Sequence, residues 1–193
     1  MEALHVVLGG LPADFPAAVI VVLHSFADLR SQLLDGLGRS TRLRVTEAEA
    51  DEFPTPGVVY IAPVDHHLLI RAHGLFSLSQ SPKVHGFRPA ADPLFSSAAV
   101  NLHERLIAVV LDGRGRDGAA GVGAVQRCGG AVVVQDPESA KYAEMPAAAL
   151  ATGAANYLLP LKTIAAGLQL LVRRMMGEVT GTKWPSFLSV ESA

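Results

Sequence analysis

Leu106–Gly121, LIAVVLDGRGRDGAAG, is the stretch whose reading decides the fold: an apolar, largely β-branched run stops at a glycine-rich turn carrying one acid, Asp117, and a small-residue segment follows. A strand that empties into a Gly-x-Gly turn and then a helix is where α/β proteins place their chemistry. Two chemistries fit at this point. Read as Gly113-x-Gly115-x-x-Gly118, with Asp136 closing the next apolar run, the stretch matches a dinucleotide-binding fingerprint. Read as a turn presenting Asp117, it is one corner of a hydrolase triad.

Outward from this turn, apolar runs of strand length recur at Ala18–Leu23, Gly57–Ala62, Leu106–Leu111 and Ala131–Gln135. They are apolar on both pleat faces, the pattern of strands covered on both sides. Helix-like stretches lie between them or follow them, at Asp28–Leu37, Asp92–His103, Gly118–Cys128 and Pro160–Met176. The alternation predicts an α/β protein, a doubly wound, mostly parallel sheet with helices on both faces in a Rossmann-like three-layer arrangement. Leu43–Ala48, Val58–Ala62, Leu68–Ala72 and Leu75–Leu78, punctuated by Pro54, Pro56 and Gly74, predict a small β patch in which some strands pair antiparallel. Asp92-Pro93 reads as an N-cap acceptor followed by proline at the first helical position. In the last helix Leu161, Ile164, Leu168, Leu171 and Met175 keep helical spacing, Arg173 and Arg174 meet the negative dipole end, and Gly177 stops it. Glu2–Leu8 reads as a helix closed by Gly9-Gly10. The division expected is a domain over 1–176 and a tail over 177–193, docked at most through Trp184 and Phe187.

Composition excludes several classes. The 193 residues, 50% hydrophobic and 18% charged, suit one globular core. A formal charge of −2 provides no basic footprint for nucleic acid. The single Cys128 forms no internal disulfide, and the start MEALHVVLGG lacks the layout of a secretory signal, so the cytoplasm is the expected compartment. No apolar run reaches the roughly 20 residues of a membrane span, and no membrane insertion is expected.

His24 ends the run AAVIVVL, and the carboxyl end of a parallel strand faces the ligand crevice of such folds. A neutral imidazole there suits a general base, with a carboxylate on its other nitrogen to fix the tautomer. Asp117 is the candidate carboxylate; its structural alternative is an N-cap for the helix beginning near Gly118. The dinucleotide reading weakens because the turn follows at least two earlier strands and Arg116-Asp117 puts an acid where a pyrophosphate would approach. His66, His67, His73, His85 and His103 make no His-x-x-x-His pair and Cys128 has no partner, so no metal or other cofactor is expected. Adjacent His66 and His67 would face opposite sides of a strand, and His67 reads as an inward-facing or turn-anchoring residue.

Five blocks now resemble one family in order: Leu11–His24, Val45–Leu69, Phe87–Phe95 (FRPAADPLF), Ala108–Gly121 and Ala143–Leu161. The chain is similar, from Glu2 to about Val172, to the catalytic domain of the chemotaxis protein-glutamate methylesterases of the CheB type. In that family the strand-to-Gly-x-Gly-x-Asp-Gly segment presents a triad aspartate and binds no dinucleotide. The resemblance implies His24 as catalytic histidine and Asp117 as catalytic aspartate. It also implies hydrolysis of glutamate γ-methyl esters on receptor cytoplasmic helices, with glutamine deamidation in some members. A serine deprotonated by the histidine would attack the ester carbonyl and form an acyl-enzyme. Backbone N–H groups at the start of the first helix and in the Gly113, Arg114, Gly115 turn are then the natural oxyanion donors.

The departures from the family pattern set further expectations. The family's serine sits in a Gly-Ala-Ser-x-Gly-Gly turn between first strand and first helix, and Met1-Glu2-Ala3-Leu4 falls just after that position. The domain is therefore expected to be N-terminally truncated, without its first strand, its nucleophile or the family's phosphoacceptor domain, and impaired as a hydrolase. Ser25 adjoins His24 and would face away from it; Ser96 and Ser97 lie on the Asp92–His103 helix. Asp112 stands where the family usually has threonine, Arg114 where methionine is common, and Ser25-Phe26 where a small-apolar-proline start is usual. The competing reading is a non-catalytic module that docks on receptor helices or an adaptor, and a third is nucleotide binding through Gly113–Gly118.

Overall fold

The computed structural model describes residues 1–24 and 30–178. The elements in chain order are α1 (Glu2–Gly9), β1 (Val19–Val21), α2 (Arg30–Ser40), β2 (Arg44–Glu47), β3 (Val58–Ile61), β4 (His67–Ile70) and β5 (Phe76–Ser79). They continue with α3 (Ala91–Leu102), β6 (Ile107–Val110), α4 (Ala119–Arg127), β7 (Ala131–Gln135), α5 (Glu144–Leu150), β8 (Tyr157–Leu159) and α6 (Leu161–Met175).

The strands form two parallel sheets, β1-β3-β2 and β6-β7-β8, and an antiparallel hairpin, β4-β5. Val19 to Val21 pair in register with Val59 to Ile61, and Ile107 to Val110 with Ala131 to Val134. Alternation along the central strands explains the three layers. Val59 and Ile61 of β3, with Val133 of β7, join one core with Leu4, Leu8, Leu37, Ile164 and Leu168 from α1, α2 and α6. Val58 and Tyr60 turn to the opposite face, against Leu94 and Ala98 of α3. Val132 and Val134 do the same against Val122 and Val125 of α4 and Ala149 of α5. The doubly wound arrangement expected from sequence is present, but the expected β patch shrinks to the antiparallel β4-β5 hairpin, in which Leu68 faces Leu78 and Ile70 faces Phe76, because its first two segments, β2 and β3, pair parallel in the first sheet.

Several local expectations are corrected. Asp92 is no N-cap: α3 starts one residue earlier, with Ala90 at the cap position, and the Asp92 side chain bonds elsewhere. Asp117 does not cap α4 either; that helix opens on Gly118 at φ 90°, without a side-chain cap. Met175 is 41% exposed rather than part of the buried stripe of α6. The start of the helix predicted at Asp28, the residues Ser25 and Phe26, and the tail anchors Trp184 and Phe187 lie outside the described residues. Among the described residues no helix is long and apolar enough to cross a membrane.

Candidate active site

Two strands bring the site together. β1 ends at Val21 and the chain reaches His24 three residues on; β6 ends at Val110 and the glycine turn carries the chain to Asp117. His24 Nε2 and Asp117 Oδ2 meet at 2.7 Å. Because both residues lie beyond the carboxyl ends of their strands, β1 and β6 run in the same direction, and the site sits where parallel α/β sheets bind ligands.

Asp117 is 1% exposed and its oxygens are saturated. The Ala91 N–H donates to Oδ2 at 2.6 Å, and the Asp92 and Gly118 N–H groups donate to Oδ1, each at 3.0 Å. Two of those donors open α3, so the carboxylate caps a helix that follows it in space and precedes it in sequence by 26 residues at Ala91. Burial works to raise the Asp117 carboxyl, but the hydrogen bond from His24 and those from Ala91 and Asp92 outweigh it and hold the group below the usual carboxylate range. An ionised Asp117 accepts from His24 Nε2–H and leaves Nδ1 as the basic nitrogen. Nδ1 has no hydrogen-bond partner among the described residues.

Sequence reasoning missed the site's other wall. Phe87 lies parallel to the His24 ring, with centroids 3.9 Å apart and planes 7° apart. Asp92 accepts from the Gly121 N–H at 2.8 Å through Oδ1 and pairs with His85 Nε2 at 3.0 Å through Oδ2. The ligating atoms of His85, Asp92 and Asp117 lie within 4.8 Å of one another. Those carboxylate oxygens already accept protein donors, so the arrangement is a satisfied hydrogen-bond network that ties α3 to α4. The only sequence signal was the Phe87–Phe95 block itself, which names residues without placing them.

The turn residues are partly committed. Gly113 N–H donates to the Tyr142 carbonyl at 2.9 Å, and Gly115 N–H to Glu144 Oε2 at 2.7 Å. That corrects the expectation of three free oxyanion donors: of Gly113, Arg114 and Gly115, the Arg114 N–H is the one without a partner among the described residues. The Arg114 guanidinium instead rests over the Tyr142 ring, 4.6 Å from its centroid. Asp112 donates its N–H to buried Gln135 at 2.9 Å. Asp136 caps the short turn Pro137–Ser139, accepting from the Glu138 N–H through Oδ1 at 3.0 Å. His67 is fully buried and anchors as expected: Nδ1 accepts from the Ala90 N–H, and Nε2 donates to the Pro82 carbonyl. Ser97 is spent on β4 and its own helix, accepting from the Ile70 N–H and donating to the Leu94 carbonyl, while Ser96 is exposed.

Between β1 and β6 lies an apolar cavity of about 570 Å³ whose lining includes Asp112 and Asp117. Its walls include Val19, Val21 and Leu23 on one side and Ile107, Val109 and Leu111 on the other. Among the described residues β1 pairs only with β3 and β6 only with β7, so each presents an unpaired ladder edge.

Comparison with known proteins points to one family. The family model described as CheB methylesterase matches residues 1–168. The chain is 41% identical over 167 residues to the protein-glutamate methylesterase FrzG of Myxococcus xanthus, covering 86% of this chain and 50% of that protein. It is 38% identical to a protein-glutamate methylesterase/protein-glutamine glutaminase of Symbiobacterium thermophilum, covering 84% and 45%. The chain thus spans about half the length of the curated relatives it matches. The solved CheB methylesterase catalytic domain of Thermotoga maritima superposes with a TM-score of 0.85 at 37% identity, over 89% of this chain and 92% of that one.

Proposed function

The chain belongs to the CheB methylesterase family, and on that premise we propose that it is the hydrolase unit of a protein-glutamate methylesterase acting on glutamate γ-methyl esters of cytoplasmic chemotaxis-receptor helices. The observation that carries this reading is the contact of His24 with the buried, multiply bonded Asp117. Asp117 fixes the imidazole with Nε2–H toward the carboxylate, so Nδ1 can take the proton of a serine hydroxyl as it attacks the ester carbonyl. The tetrahedral oxyanion would draw on the uncommitted Arg114 N–H, and His24 would return the proton to the leaving methanol. Water then attacks the acyl-enzyme by the same route, releasing the glutamate carboxylate and regenerating the serine.

The attacking serine is assigned to a further segment, not among the 193 residues, seated as a strand between β1 and β6. Two strand edges, unpaired among the described residues, flanking an apolar cavity lined in part by Asp117 support that seat. The test fuses an apolar strand and a Gly-x-Ser turn ahead of Met1 and follows methanol release from a peptide carrying glutamate γ-methyl ester. Turnover is expected with the fusion, with loss of at least about 10³-fold on His24→Ala or Asp117→Asn. A fusion that folds and stays inert, or a His24→Ala variant that retains turnover, defeats the proposal.

A second reading follows from the same placement: with no hydroxyl bonded to Nδ1 among the described residues, the chain would bind receptor helices or an adaptor without turning them over. Retention of methylated receptor fragments by the unfused chain, with no methanol released, would favour it.

A further inference from the structure

We infer that Phe87 is a positioning residue for His24, holding the imidazole by its face while Asp117 holds it by its edge; this rests on the reading of His24 as the base. A ring tied through one nitrogen can still turn about that bond, and a base must keep its orientation to within about 10–20° to serve. Phe87 removes that freedom. Its ring is parallel to the imidazole within 7° at 3.9 Å, so rotation of His24 in either sense drives its edge into the phenyl face.

The surrounding loop is constructed to hold this one side chain. Val84 and Phe87 exchange backbone hydrogen bonds across a two-residue turn in which both central residues, His85 at φ 50° and Gly86 at φ 84°, are left-handed. That is the hairpin turn of the tightest type, and it fixes where Phe87 leaves the turn. His85, within the turn, is pinned to Asp92. On the other side Arg88 donates Nε and Nη2 to Asp65 Oδ1 at 3.0 and 2.7 Å, and Nη1 to the carbonyls of Gln80 and Ser81 at 2.7 and 2.9 Å. The residue between these anchors is an aromatic ring left 41% exposed. A large apolar side chain held at the surface by so many fixed neighbours gains little from burial; what its position does achieve is contact with one face of His24.

The experiment compares Phe87→Leu, which keeps bulk and loses the ring, with Phe87→Tyr, which keeps both. In the native chain the His24 ring carbon protons should resonate upfield through the phenyl ring current. Tyr should preserve that shift and Leu abolish it, with amide spectra otherwise unchanged away from the loop. Acylation of His24 by diethyl pyrocarbonate, followed by peptide mapping against the six other histidines, should run severalfold faster in the Leu variant and at the native rate in the Tyr variant. In the serine-bearing fusion, Leu should lower kcat and leave KM unchanged. An unshifted native His24, a Leu variant with native shift and acylation rate, or a Tyr variant as altered as Leu overturns the inference. The spectral and acylation results do not depend on ester turnover, so an inert fusion would count against the proposed activity and leave the stacking role standing or falling separately.

Discussion

At the scale of single residues, Asp117 carries more than one load. It orients His24 and it caps α3, so the same carboxylate is a site residue and a structural one. Asp117→Ala would strand the N–H groups of Ala91, Asp92 and Gly118, and each buried unsatisfied donor costs about 1–3 kcal/mol. Urea denaturation should show a loss of at least about 3 kcal/mol, since the terms do not add fully. The pH dependence follows from the lowered carboxyl. The unfolded chain binds a proton at Asp117 more readily than the folded one, so this group's stabilisation is present above the ordinary carboxylate range and is lost as pH falls through its lowered folded value. Asp117→Asn removes that proton uptake, and its stability should fall less steeply with acid than the native chain's when both are titrated by circular dichroism. The pairing itself was legible in sequence, because His24 and Asp117 both sit just past apolar runs that parallel pairing sends to one end. Phe87 and His85 were not, because a two-residue turn with left-handed backbone leaves no periodic trace.

At the scale of elements, the long strands and amphipathic helices were legible because both faces of a buried strand, and one stripe of a helix, must be apolar over several residues. β8 has three residues, and α5 has seven, EMPAAAL, with a proline and no stripe, so neither showed a period. The start of α3 was misread for a different reason: Asp92-Pro93 looks like a local cap, but a carboxylate 25 residues beyond Asp92 supplies the cap and frees the Asp92 side chain to bond Gly121. That bond draws α3 and α4 close. A Cβ on Gly121 would lie 2.6 Å from the Phe95 Cβ and 3.3 Å from the Asp92 Cα. Gly121→Ala gains up to about 1 kcal/mol of helix propensity. Overpacking costs typically about 1–3 kcal/mol, and the contact here includes backbone, so the net change should be destabilising. Thermal unfolding should record a lower Tm for Gly121→Ala, whereas Gly123→Ala, which meets only the flexible end of Arg127, should hold or raise it.

At the scale of the whole molecule, two half-sheets are joined by the helices that cover both and by the His24–Asp117 contact, while their facing edges stay unpaired among the described residues. The sequence showed strands covered on both sides, but apolar runs do not state which neighbour each strand pairs with; an open edge followed only from the family resemblance, which implied a missing first strand, and the placement of the cavity between β1 and β6 came with the structure. The physical consequence is a specific weakness. Val19, Ile107 and Val109 are only partly buried although they belong to strands whose sequence suits full burial. On the edges where β1 and β6 face each other, the outward N–H and C=O groups also lack ladder partners among the described residues. A strand seated between them would supply both, and complete burial of even one further valine or isoleucine side chain contributes about 1.5–3 kcal/mol. The fusion of an apolar strand ahead of Met1 should therefore raise Tm by at least roughly 4–8 °C for a gain of about 2 kcal/mol in a chain of this size. Hydrogen exchange should slow in peptides covering 17–23 and 106–111, and should change least in the β4–β5 hairpin, which does not line the cavity. The same fusion with a Lys in the middle of the added strand must bury a charge between two apolar edges, and it should lose the gain in Tm and the exchange protection together. Stabilisation that survives the Lys, or protection that spreads evenly over all strands, would mean that the added segment binds elsewhere and that β1 and β6 do not flank its seat.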